Sequence, residues 1–272
     1  MNADGGWGLA LSCVTCQNRP VTTLAVLQAR MTSSRLPGKV MTPLLGEPMV
    51  ARQVERIRCS HLIDGIVLAT STDASDDSLA ELADSLGLPV VRGPLDDVLS
   101  RYVLAIQQHQ PDVVVRLTAD CPLTSPTVID AVINQFVSTD VDYCSNTLMP
   151  TYPDGLDAEV VSAAVLLDVA SISDDPAEHE HVTLGVYRRP ERYRLANHAG
   201  ERDLSALRWT VDTPDDLAFV TYVYEALYPT NPEFDVADVL ALLEREPDRS
   251  RTTADEVRNA ALAGLDTGAM NA

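Results

Sequence analysis

Lysine is almost missing from this chain. Of 20 basic residues only Lys39 is a lysine and 19 are arginine, against 27 aspartates and 13 glutamates. Basic charge as a whole is scarce: the 272 residues carry a formal net charge of −20, with a pI near 4.4. That balance argues against nucleic-acid binding, because contacts to phosphates need clustered Lys and Arg. Long apolar runs are lacking too; no stretch reaches the roughly 18 residues a membrane-spanning helix needs. The N-terminal stretch has no basic segment ahead of an apolar one, so secretion is not indicated and a cytoplasmic protein is expected. Cysteines are few and scattered, at Cys13, Cys16, Cys59, Cys121 and Cys144. An odd, dispersed set is no disulfide framework and suits a reducing compartment. Cys13-Val-Thr-Cys16 has the spacing of a zinc or redox pair, but no second CxxC or His pair accompanies it.

What remains is ordinary for a folded domain. Apolar residues make up 46% of the chain and the mean hydropathy is −0.01, which favours one large α/β unit with appendages. The Asp-rich, Lys-poor composition suits a halophilic source or a GC-rich genome that writes Arg for Lys; self-repulsion of the acidic surface then makes stability depend on salt. Against that background the surviving Lys39 marks a place where a compact ammonium does what the planar Arg fork does not.

From residue 23 onward strand-like and helix-like segments alternate. The apolar run 23–29, the stretches 65–70 and 89–92, and the unbroken core 112–120 read as strands. Between them Pro48 opens a helix, a second runs from Asp76 to Leu86 with Gly87 as its stop, and Asp96 or Asp97 caps a third reaching His109. Ser125 and Pro126 open a fourth, to about Val137. Four strand–helix units in succession predict a mostly parallel sheet with helices on both faces. Residues 141–205 are turn-rich and read as a small inserted β region; 207–212 returns to strand character, and a helix follows from Thr213 to Tyr228. Two polar helices, about 235–246 and 253–264, close the chain. The expected division is a leader over 1–22, a domain over 23–230 and a helical extension over 231–272.

In an open parallel sheet ligands bind at the carboxyl ends of the strands, and three stretches bring charge there. After the first strand, Gln28 to Lys39 carries Arg30, Arg35 and Lys39 with three hydroxyl side chains, and Gly38 permits close backbone approach. Such a loop suits a triphosphate. It is not a P-loop, since GxxxxGK[ST] is absent. The second and third stretches, 116–123 and 208–217, each present an aspartate at an expected strand end, Asp120 and Asp212. Two carboxylates from separate strands, with phosphate oxygens, make a Mg²⁺ site; helix capping is the plainer role for Asp212.

QARMTSSRLPGKVM resembles the N-terminal signature of the CMP-sugar synthetases. With RLTADCPL, YPDGLDAEV, EHVT and RWTVDTPDDL, the chain looks most like the spore-coat polysaccharide biosynthesis (SpsF-like) branch of these cytidylyltransferases, over roughly residues 23–230. The resemblance implies a Rossmann-like nucleotidyltransferase fold and a homodimer. It also implies transfer of CMP from CTP to a sugar acid or related small acceptor, with release of pyrophosphate. It places Arg30, Arg35 and Lys39 on the triphosphate and Ala29 and Ser34 against the nucleotide. Asp120 and Asp212 match the family's Mg²⁺ ligands, Thr72 and Asp73 fall where the family lines the cytidine pocket, and 141–205 would build the acceptor pocket and dimer contact.

One position departs from the branch: His179 stands where an Arg precedes the Glu-His-Val-Thr sequence. His179-x-His181 also has a metal-like spacing, without a third ligand. Two other classes compete. A metal-dependent glycosyltransferase would use an Asp-x-Asp such as Asp140-Val141-Asp142, and a non-catalytic nucleotide-binding partner would keep the loop without turnover.

Overall fold

The computed structural model describes residues 22–33 and 35–254. Cys13, Cys16, Ser34 and the greater part of the expected leader and last helix lie outside the described residues. The described residues open with β1 (Thr23–Gln28), a two-strand hairpin of β2 (Pro43–Leu44) and β3 (Glu47–Pro48), and α1 (Met49–Ile57). Then come β4 (Gly65–Ser71), α2 (Asp77–Ser85), β5 (Val90–Gly93), α3 (Val98–His109), β6 (Val113–Thr118) and α4 (Pro126–Ser138). The middle of the chain gives β7 (Tyr143–Ser145), β8 (Glu159–Ser162), α5 (Ala163–Ile172), α6 (Pro176–Glu180), α7 (Leu184–Tyr187) and β9 (Leu195–Asn197). Two helices, α8 (Pro214–Leu227) and α9 (Val236–Arg245), follow.

The long strands are the unbroken apolar runs, and the caps are those the sequence announces. Asp97 accepts from the Ser100 N–H at 2.9 Å, Ser125 from Val128 at 3.1 Å, and Thr213 and Asp216 form a capping box on α8. Gly87 takes a left-handed φ of +67° after α2. Pro48 precedes its helix instead of opening it, because it pairs with Pro43 in the hairpin.

Seven strands form one sheet in the order β5-β4-β1-β6-β8-β7-β9. The first four run parallel, β8 is antiparallel to both neighbours, and β9 is parallel to β7. The turn-rich region 141–205 thus extends the main sheet. From β1 the chain winds outward through β4 to β5, then returns to place β6 on the other side of β1. This reversal opens a crevice at the carboxyl ends of β1 and β6, the usual ligand position in such sheets.

Buried apolar residues fall into three clusters. One packs α3, α5 and α7 on one sheet face, and a second packs α1, α2 and α4 on the other. The third joins Trp209, Val211 and Phe219 to Phe234, Val239 and Leu242, so α8 and α9 share one core. The strand expected over 207–212 is not formed. Its alternation is real, since Trp209 and Val211 are buried, but its N–H groups go to three different segments. Arg208 donates to the Arg251 carbonyl at 3.0 Å, Trp209 to Asp154 at 2.6 Å and Val211 to Asp120 at 2.8 Å. Periodicity reports burial of alternate side chains, while a strand also needs one continuous partner.

Candidate active site

The loop after β1 is folded back by three backbone contacts. Ala29 N–H donates to Ala69 O at 3.0 Å, Met31 N–H to the Asp76 carboxylate at 2.7 Å, and Gly38 N–H to Met31 O at 2.9 Å. Gly38 takes φ +71° and starts a single 3-10 turn, Lys39–Met41. This left-handed step costs glycine little and sends Lys39 inward. Asp76, fully buried, also accepts from the Ser71 N–H and hydroxyl, so it clamps the loop to the end of β4.

The Lys39 ammonium meets three acceptors: Val211 O at 2.7 Å, Asp212 Oδ1 at 2.9 Å and Asp120 Oδ2 at 3.2 Å. Three donors on one compact centre suit three convergent oxygens, which a planar fork does not. Burial opposes the charge on Lys39, yet the Asp120 and Asp212 carboxylates outweigh it and raise its pKa. Burial would likewise raise Asp120, but Lys39 overrides it and pulls the carboxyl down to about 2. Arg35 Nη2 reaches Asp212 Oδ2 at 2.9 Å, and Arg30 Nη2 lies 3.9 Å from Glu180 Oε1.

These groups line a cavity of 320 Å³ at the β1–β6 crevice, which gathers Ala29, Arg30, Arg35, Lys39, Asp120 and Asp212. Thr72 and Asp73 lie outside it. They are exposed at the carboxyl end of β4, where Thr72 N–H donates to Gly93 O at 2.8 Å and Asp73 caps the next turn through Ser75. Among the described residues no three His, Cys, Asp or Glu side chains gather as a metal cage. Asp120 and Asp212 nevertheless converge on one cationic centre. An all-oxygen pair of this kind suits a hard divalent ion that takes its other ligands from phosphate and water.

The cavity has a further wall that the sequence reading missed. Arg116, on β6, stands opposite Glu159 on β8 in the sheet register and is ion-paired with it through Nη1. Glu159 also accepts from the Tyr143 hydroxyl at 2.8 Å and from Thr183 at 3.0 Å. Thus RLTAD, DAEV and EHVT meet at one point. Burial opposes the Arg116 charge, but Glu159 holds it strongly; its buried Nε has no partner among the described residues. His181 lines the cavity beside Arg116, and burial, reinforced by the Arg116 charge, lowers its pKa. The signal for Arg116 was available in the sequence. A charge inside an apolar strand demands a buried partner.

The competing metal motifs do not converge. The His179 ring nitrogens face two acceptors, Nδ1 at 2.8 Å from Asp97 Oδ1 and Nε2 at 3.0 Å from the Ser173 carbonyl oxygen, so both are engaged away from His181. Asp140 and Asp142 are both ion-paired with Arg194 and do not line the cavity.

Comparison with known proteins agrees with this geometry. The family profile described as Cytidylyltransferase matches residues 24–226. The spore coat polysaccharide biosynthesis protein SpsF of Bacillus subtilis is 34% identical over 232 residues, spanning 83% of this chain and 95% of that protein. A cytidylyltransferase structure from Leptospira borgpetersenii superposes with a TM-score of 0.80 at 28% identity, covering 88% of this chain and 98% of that one. A CMP:2-keto-3-deoxy-manno-octonic acid synthetase complexed with CTP shares the fold, with a TM-score of 0.59 at 16% identity, over 75% and 98% of the two chains.

Proposed function

This chain belongs to the cytidylyltransferase family and is a CTP-dependent nucleotidyltransferase; from that premise we propose that it transfers CMP to a sugar acid or related small acceptor, with release of pyrophosphate, for surface polysaccharide or glycan synthesis. The observation that carries this reading is the convergence of Lys39, Asp120 and Asp212 at the mouth of β1 and β6, with Arg30 and Arg35 on the same cavity.

In this reading Arg30, Arg35 and Lys39 take the triphosphate, Ala29 and Ser34 lie against the nucleotide, and Thr72 and Asp73 flank the base from the adjacent strand end. An acceptor oxygen attacks the α-phosphorus in line; the bond to the β-phosphate oxygen breaks and pyrophosphate leaves. Arg30 and Lys39 neutralise the charge that develops on the leaving group. Asp120 and Asp212 would hold Mg²⁺, which when bound polarises phosphate oxygens as a Lewis acid. Lys39 bonds both carboxylates and so holds them together, organising the site before nucleotide arrives. Catalysis here is positioning and electrostatics, with no side-chain nucleophile. In this reading the acceptor lies against Arg116, which is ion-paired with Glu159, and His181, both of which line the same cavity.

We further read 23–230 as the catalytic unit, 231–272 as its helical extension and 141–205 as the source of the acceptor wall and of a homodimer contact. The setting is cytoplasmic in this reading; no helix among the described residues is long and apolar enough to cross a membrane. The test is Mg²⁺-dependent pyrophosphate release from each of four NTPs with a mixed sugar-acid pool, at low and high salt. Release with CTP alone, and only when acceptor is present, is the expected result. Silence with every nucleotide from a folded protein that still binds CTP would favour a non-catalytic nucleotide binder.

A further inference from the structure

Behind Asp212 lies a guanidinium that the reaction itself does not use. The Arg208 side chain is 2% exposed, and all of its nitrogens bond carboxylates. Nη1 donates to Asp154 Oδ2 at 3.0 Å; Nε and Nη2 fork onto Asp216 at 3.1 Å each; Nη2 also donates to Asp212 Oδ2 at 2.9 Å. Burying this many charges is a poor way to stabilise a fold, since packed apolar side chains of similar volume do as well. The arrangement makes sense through Asp212. Of the three carboxylates, only Asp212 lines the cavity. Arg208 grips its Oδ2 from the buried side, Arg35 reaches the same oxygen from the loop at 2.9 Å, and Oδ1 faces Lys39. The Asp212 N–H is tied as well, to Asp216 Oδ2 at 3.0 Å.

We propose that Arg208 is a positioning residue that fixes one oxygen of Asp212 from behind and so presents the other to the cation that accompanies CTP. The inference rests on reading Asp120 and Asp212 as the divalent-ion site. Arg208 also joins that site to the Tyr152–Gly155 turn of the acceptor region. Gly155, at φ +108°, lets the turn lie against the Arg208 segment; a Cβ there would stand 2.5 Å from Thr210 N and 2.6 Å from the Trp209 carbonyl carbon. Lysine cannot replace this arginine, because an ammonium lacks the planar fork that reaches three separate carboxylates.

The experiment measures CTP affinity by titration calorimetry, with and without Mg²⁺, for the full chain and for Arg208→Lys and Asp154→Asn, after thermal melts establish folding. In the parent protein Mg²⁺ tightens CTP. Arg208→Lys keeps the metal-free affinity and loses about tenfold or more of the Mg²⁺-linked gain, the size expected for loss of a group that orients a metal ligand. Asp154→Asn, which loosens Arg208 without touching Asp212, gives a smaller loss of the same kind. A folded Arg208→Lys with the full Mg²⁺-linked gain would overturn the proposal. If that variant does not fold, a folded Asp154→Asn with the full gain overturns it instead. A parent protein that binds CTP with no Mg²⁺-linked gain refutes the metal-site reading, and the inference with it; one that binds no CTP refutes the proposed function.

Discussion

Two sets of arginines belong to this site and behave in opposite ways. Arg30 and Arg35, on the loop after β1, leave 42% and 43% of their side chains in solvent. Arg116, on the cavity wall, and Arg208, behind it, are 18% and 2% exposed and are ion-paired with buried carboxylates. The residue type is the same and the distance along the surface is short. What differs is where the charge is satisfied. The loop arginines pair at the cavity surface, Arg35 with Asp212 at 2.9 Å and Arg30 with Glu180 at 3.9 Å, where water and an incoming phosphate compete for the fork. A buried guanidinium must be neutralised within the protein, and its effect is to aim the carboxylates that neutralise it. Lys39 stands between these sets: it is buried and ion-paired like the second, yet it sits on the same loop as the first.

The intermediate case carries the largest predicted effect. Lys39→Ala and Asp120→Asn each reduce pyrophosphate release by roughly a hundredfold or more while retaining a cooperative melt. Normal turnover by either purified variant would remove both from the catalytic account. Next in size is a loss at the buried set. Arg116→Leu leaves Glu159 buried without its cation and costs about 3–5 kcal/mol of stability, measurable by urea denaturation. A cost below about 1 kcal/mol would mean that Arg116 is held there for function alone.

The exposed set gives the reverse signature. Arg30→Ala weakens CTP binding by about tenfold, as loss of one charge-assisted contact should, and changes stability by less than about 0.5 kcal/mol. A large fall in Tm without a change in affinity would collapse the distinction between the two sets. The smallest effect belongs to His179. The Ser173 carbonyl and the Asp97 carboxylate outweigh its partial burial and raise its pKa above 6.5. Its contribution is therefore complete below pH 6.5 and lost as pH rises through the higher folded-state value. For a partly exposed pair worth about half a kcal/mol, Tm falls by about 1 °C across that window. His179→Gln should flatten that part of the profile, and an unchanged slope in the variant would assign the pH dependence to other groups.

Legibility in the sequence followed the range of each interaction. β1, β4 and β6 were readable because a strand buried on both faces is a near-continuous apolar run, and β5 because its short apolar pair sits between glycine and proline turns. α3, α4 and α8 were readable because their caps lie within a few residues of their starts. The segment 207–212 misled because alternation reports burial and says nothing of hydrogen-bond partners, which here are three separate loops. The hairpin of β2 and β3 was too short to carry a period. The cationic loop stood out through composition, as the position of the only lysine. Arg116 was legible only as a charge inside an apolar strand. Its partner Glu159, like Asp154 for Arg208, lies far along the chain, 43 and 54 residues away respectively, and only the fold brings these pairs together.

On the proposed assignment the cavity at the carboxyl ends of β1 and β6 takes the triphosphate of CTP on Arg30, Arg35 and Lys39, while Arg208 holds Asp212 in place from behind. A crystal structure with CTP and Mg²⁺ tests this most directly. Arg30, Arg35 and Lys39 should contact phosphate oxygens, with Asp120 and Asp212 on the metal and Arg208 still bonded to Asp212 Oδ2. A triphosphate bound elsewhere, or Lys39 still closed on Asp120 and Asp212 with nucleotide present, would contradict it.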